Sequence, residues 1–147
     1  MLQPAMFVVN VQVALRCNDQ LLVIGRSEDE AHAGGALDIP GGKVDTFELG
    51  LAVLEAVARR EVLEETGVPI EAGLRYVCSA SFRAQDGHPV INVVFAATTT
   101  NASPTTPQAS EVSFAKWLPL REVLSHPDLP LWTAGYIRQA FPEFRDE

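Results

Sequence analysis

Only one stretch of this chain carries a long helical pattern, residues 45–66, and Gly67 closes it as a C-cap residue. The segments around it read as strands. Residues 7–16 are rich in valine, Asn18-Asp19 supplies turn chemistry, and residues 21–24 return as the second arm of a hairpin. Beyond the helix, residues 74–83 and 90–98 flank Asp86-Gly87 as a second hairpin, and residues 112–118 form a shorter strand. Residues 120–124 read as a helical turn and residues 131–141 as a terminal helix. Ile39-Pro40-Gly41-Gly42 reads as a hard turn, and residues 27–36 and 101–110 as polar loops. Strands on both sides of a central helix, with another helix at the end, predict an α/β fold with a sheet packed between helices.

The chain has 147 residues, enough to bury one core without staples, so a single domain over residues 1–147 is expected. Its net charge is -8, with 19 acidic residues against 11 basic ones, which argues against binding polymeric nucleic acid. Small phosphorylated substrates stay open, because a bound metal inverts the local field. The apolar start is interrupted by Asn10 and Gln12 and has no basic leader region, so neither a membrane span nor a signal peptide is expected. Two cysteines, Cys17 and Cys78, make no disulfide framework; a cytoplasmic protein with reduced thiols is the expectation.

The end of the helix departs from a plain amphipathic pattern. Leu54, Ala58, Glu61 and Glu65 share one face, so the stripe runs from apolar to acidic within two turns. Glu64 lies beside them. The three carboxylates repel one another unless something positive sits between them, and they crowd the helix C-terminus, where the macrodipole disfavours negative charge. Clustered hard oxygen ligands point to Mg²⁺ or Mn²⁺. A solvated acidic face would use the same residues, so the carboxylates alone leave both readings open.

The flanking residues add to the pattern. Gly42, then Glu48 after five residues, then Arg60-Glu61-Val62-x-Glu64-Glu65-x-Gly67-Val68 resemble the Nudix box, G-x5-E-x7-R-E-U-x-E-E-x-G-U with U a bulky aliphatic residue. One spacing departs from it. Eleven residues separate Glu48 from Arg60 where the box has seven, and counting back from Arg60 puts the first Glu of the box on Ala52. The excess is close to one helical turn, and Asp45 with Glu48 has capping-box spacing. The helix is therefore expected to start one turn early, with Glu48 near its cap; a longer loop before a helix of ordinary length is the alternative.

The resemblance implies a Nudix-type α/β/α sandwich with a mixed sheet, and hydrolysis of a nucleoside diphosphate linked to another group. Glu61, Glu64 and Glu65, with the carbonyl of Gly41, would hold Mg²⁺ or Mn²⁺. Arg60 would orient Glu61, a candidate base, and Glu48 would brace the box. Glu111 is the acid expected to join from the loop before residues 112–118, while Asp38 is within reach but reads as structural. Arg26 and Lys43 are candidates for phosphate contact. Phe82, Phe95, Trp132 and Tyr136 could stack on a base, and His88 and Asn92 could add polar contacts, although such residues are more often core.

ADP-ribose pyrophosphatases tend to carry a proline about fifteen residues past the box. Arg83 and Ala84 stand there, and the tyrosine of dinucleoside polyphosphate hydrolases is also missing. A nucleoside triphosphate or nucleotide sugar is the remaining substrate expectation. The alternatives are a Nudix-fold nucleotide-binding or regulatory module with weak catalysis, or an isoprenoid-diphosphate isomerase-like enzyme. Neither cysteine sits in an isomerase motif, and all three box carboxylates are kept. Many members are homodimers, and the first hairpin could supply such an interface.

Overall fold

A computed structural model describes residues 4–28, 35–71, 73–100, 103–104 and 111–146. Most of the two expected loops, residues 27–36 and 101–110, lies outside the described residues. The elements are β1 (Val8–Cys17), β2 (Gln20–Arg26), β3 (Leu37–Asp38), β4 (Gly41–Lys43), α1 (Val53–Thr66), β5 (Arg75–Arg83), β6 (Pro89–Thr98), β7 (Val112–Pro119), α2 (Leu120–Leu124) and α3 (Leu131–Ala140), followed by a short 3-10 turn, Pro142–Phe144. Among the described residues, no helix is long and apolar enough to cross a membrane.

The strands form one mixed sheet in the order β3-β2-β1-β6-β5, with β4 on β1 and β7 on β2. β1 runs parallel to β6 along most of its length. β1 and β2 pair only at Arg16 and Cys17, next to their turn, and then part. Beyond this fork β4 takes the place of β2 along β1, with Asn10, Val11 and Gln12 opposite Lys43, Gly42 and Gly41. Val13 N–H donates to the Pro40 carbonyl at 2.9 Å inside the fork.

Strand alternation divides the core into two layers. Val11, Val13 and Leu15 of β1 and Val93, Phe95 and Ala97 of β6 pack with Val57, Ala58 and Val62 of α1. The residues between them, Ala14 of β1 and Val94 and Ala96 of β6, pack with Val123 of α2, Ile137 of α3 and Phe144. Val57 and Val62 are fully buried, each contributing about 1.5–3 kcal/mol by leaving water. The helix–sheet–helix layering agrees with the expected fold class.

Two local expectations are corrected. The helix does not start near Asp45; it starts at Val53, so the longer-loop alternative is the one that forms. One capping-box contact does form, with Asp45 N–H donating to Glu48 Oε1 at 3.0 Å, but Glu48 N–H donates to the Asp45 main-chain carbonyl at 3.0 Å, as in a turn, rather than to the Asp45 side chain. The turn cannot run on as helix because Gly50 (φ 123°) and Ala52 (φ 54°) both take positive φ. Phe47, Leu49 and Leu51 are exposed, so no core face draws this segment into a helix. Gly41-Gly42, in turn, is part of a strand and not of a hard turn, because the fork leaves β1 an unpaired edge that this segment fills.

Candidate active site

The strand β4 lies between β1 and the end of α1, and its glycines make the close approach possible. A Cβ on Gly41 would overlap the Val11 carbonyl and Gln12, and one on Gly42 would overlap the Glu61 carboxylate. Gly41 N–H donates to Glu65 Oε1 at 2.8 Å. Glu65 is 5% exposed, and burial pushes its carboxyl up to about 8. The Gly41 hydrogen bond and the Arg26 charge oppose that shift, while the charges of Glu61 and Glu111 add to it. Glu61 is raised too, first by burial, with the Arg60 charge opposing and those of Glu64 and Glu111 adding.

Arg60 supplies the positive charge between carboxylates. Its Nη1 donates to Glu61 Oε1 at 2.9 Å and Glu64 Oε2 at 3.2 Å. Its other edge grips Glu48 at two points, Nη2 to Oε1 at 2.6 Å and Nε to Oε2 at 3.0 Å. The planar fork of the guanidinium suits such bidentate pairing. The hydrogen bonding that Arg60 donates to Glu48 is the first cause both of Arg60's raised pKa and of Glu48's lowered one. The longer loop thus still delivers Glu48 to the arginine. Among the described residues, no three His, Cys, Asp or Glu side chains stand close enough together to hold a metal ion as they are.

Glu111 stands exposed just before β7, near enough for its charge to act on both Glu61 and Glu65. Its carbonyl accepts Ser27 N–H at 2.8 Å, which ties the start of β7 to the end of β2. Arg26, half-buried at the end of β2, donates from Nε to Asp38 Oδ2 at 3.0 Å. Lys43 is exposed on β4, and its carbonyl accepts from Arg60 Nη2 at 3.4 Å.

A cavity of about 530 Å³ opens on the α3 side of the fork, with Arg26 and Lys43 in its wall. Phe82, Trp132, Tyr136, His88 and Asn92 line it, so five of the six candidates for base contact meet in one place. Phe95 does not reach it. Its position in β6 turns it to the α1 layer, where it meets Tyr76 edge-on. The sequence reading missed Asn10 and Gln12 of β1, which line the cavity beside Asp38. Their signal was the polar interruption of a valine-rich strand, which on the sheet becomes polar positions on the α3 face.

The NUDIX domain family model matches residues 6–140. No match is found among curated proteins. Among solved structures the chain is similar to a MutT NUDIX hydrolase from Burkholderia pseudomallei, 24% identical, with TM-score 0.74 and coverage of 91% of this chain and 98% of that one. It is similar to the MutT protein from Methanosarcina mazei Go1, 25% identical, with TM-score 0.77 and coverage of 98% and 99%. It also resembles the NUDIX domain of Shewanella oneidensis NrtR, solved with ADP ribose, 23% identical, with TM-score 0.76 and coverage of 97% and 90%. The chain belongs to the Nudix family, as a Nudix hydrolase.

Proposed function

We propose that the protein hydrolyses the pyrophosphate linkage of a nucleoside diphosphate derivative, with a nucleoside triphosphate or nucleotide sugar favoured, in a reaction that depends on Mg²⁺. The observation that carries this reading is the junction at the sheet fork. Mutually repelling carboxylates on one side meet a cavity on the other that holds aromatic rings and amides, with Arg26 and Lys43 on the boundary. Phosphates belong at the boundary and the nucleoside in the cavity. The ADP ribose complex of the Shewanella domain supports that class of ligand.

The donor chemistry fits a hard divalent cation, since the site offers oxygen atoms only and carries more negative charge than Arg60 offsets. Glu61, Glu64, Glu65 and the Gly41 carbonyl would hold Mg²⁺, or Mn²⁺ in its place. When bound, the cation neutralises pyrophosphate oxygens and lowers the pKa of water. To hold the ion, Glu61 and Glu64 would have to give up Arg60 Nη1, and Glu48 would keep the guanidinium in place. Glu61 takes the proton of the attacking water, and Glu111 closes the loop side of the site. Arg26 and Lys43 hold the phosphates.

A panel of triphosphates, sugar nucleotides and dinucleotides with Mg²⁺, followed by product identification, tests this. Release of a nucleotide or phosphate that stops on chelation is the expected result. Inactivity across the panel would leave the binding-module reading, which the pairing of Arg60 with Glu61 and Glu64 favours.

A further inference from the structure

The floor of the cavity is a chain of amides on the α3 face of the sheet. Asn10 Nδ2 donates to Asn92 Oδ1 at 2.8 Å, Asn92 Nδ2 to Gln12 Oε1 at 2.9 Å, and Gln12 Nε2 to Asp38 Oδ1 at 3.2 Å and to the Ile39 carbonyl at 3.2 Å. Gln12, Asn92 and Asp38 are buried, whereas Asn10 is half-buried at the cavity end. An amide can ordinarily turn over and exchange its oxygen for its nitrogen. Here it cannot. A carboxylate and a main-chain carbonyl only accept, so Gln12 must point Nε2 at them and Oε1 at Asn92. Asn92 must then donate to Gln12 and offer its oxygen to Asn10, and Asn10 must donate in turn.

Asp38 is itself fixed. Thr133 Oγ1 donates to Oδ1 at 2.9 Å, Ile39 N–H to Oδ1 at 2.8 Å, and Arg26 Nε to Oδ2 at 3.0 Å. The direction imposed by the carboxylate together with the Ile39 carbonyl therefore travels through two buried amides to Asn10. At its end, Asn10 Oδ1 accepts no hydrogen bond from any described residue. Phe82 and Trp132, on β5 and α3, line the same cavity.

We infer that Asp38 is a positioning residue for substrate choice: acting through Gln12 and Asn92, it fixes Asn10 with its carbonyl oxygen open, so that the cavity selects a nucleobase bearing an amino group. The proposal rests on the reading that the cavity takes the nucleoside. Discrimination follows from desolvation, because a base seated on Asn10 displaces water from Oδ1, and one without a donor gives no hydrogen bond in return.

The test is binding of adenosine monophosphate against purine riboside monophosphate, which lacks only the amino group, by calorimetry without metal. The expected result is a preference of at least about tenfold for the amino nucleotide in the native protein. Asn10→Leu should abolish that preference. Asp38→Asn should reduce it severalfold, because an amide at 38 can turn its NH2 group toward Gln12 and leave the Ile39 carbonyl alone to hold the orientation. The ratio is read within each variant on folded molecules alone, so a loss of stability does not imitate the effect. Equal binding of the two nucleotides, binding of neither at millimolar concentration, a preference that survives Asn10→Leu, or one undiminished in Asp38→Asn would overturn the inference. The monophosphates carry no bond to hydrolyse, so failure of the hydrolase reading shows instead as inactivity on the panel while this preference stands.

Discussion

The two faces of the sheet use the same strands for different work. On the α1 side, Val11, Val13, Leu15 and Leu22 meet valines of the helix, and the layer is apolar until the last two turns of α1. On the α3 side, Gln12 of β1, Asn92 of β6 and Asp38 of β3 stand in the interior, where Thr133 joins them, and every described buried side-chain polar atom has a partner. An apolar layer tolerates any good fit of volume. A polar layer tolerates only the partners that complete its hydrogen bonds. The first face therefore sets stability, and the second sets one arrangement of donors and acceptors beside the cavity.

Substitutions should separate these roles. Leu22→Ala, at a fully buried α1-side position, should cost about 2–5 kcal/mol in urea unfolding and leave nucleotide preference unchanged. A shift in preference would mean that the faces are not independent.

The edge where the α1 layer turns acidic should make stability depend on pH. The folded Glu65 carboxyl keeps its proton up to about 8, whereas the unfolded one loses it near 4.5. Between those values the native state binds more protons than the unfolded state. Stability of the metal-free protein is thus greatest at the acid end of this window and falls as pH rises through it, by no more than about 1.4 kcal/mol per pH unit. Thermal unfolding across the window should show this slope in the native protein and a flatter one in Glu65→Gln; equal slopes would contradict the burial of Glu65.

A smaller effect is expected on the α3 side. Thr133→Val removes one of several donors to Asp38 and should cost about 1 kcal/mol by urea unfolding, since Arg26, Gln12 and Ile39 N–H remain. The smallest belongs to the loop before α1. Leu51 is fully exposed, and Leu51→Ser should change stability by less than about 0.5 kcal/mol. A larger loss would show that the segment packs on something in solution.

The carboxylates of the box were legible because a helix repeats every 3.6 residues and the box spacing from Arg60 onward is intact. Asn10 and Gln12 were not, because their meaning depends on Asn92 and Asp38, which only sheet pairing brings beside them. The start of α1 was misread for a related reason. The local Asp45–Glu48 turn forms as its spacing suggests, but Arg60, twelve residues beyond Glu48, takes the carboxylate, and Gly50 and Ala52 break the helix. Gly41-Gly42 read as a turn since nothing local announces the edge of β1 that it fills.

One comparison bears most directly on the active site: kcat for a hydrolysed nucleoside diphosphate derivative, with saturating Mg²⁺, in the native protein and in Glu65→Gln. The amide of the variant can still meet Gly41 but cannot offer negative charge to a cation. A fall in kcat of at least about a hundredfold, with nucleotide preference unchanged, is the result expected. A variant as active as the native protein would contradict the placement of the chemistry at this end of α1.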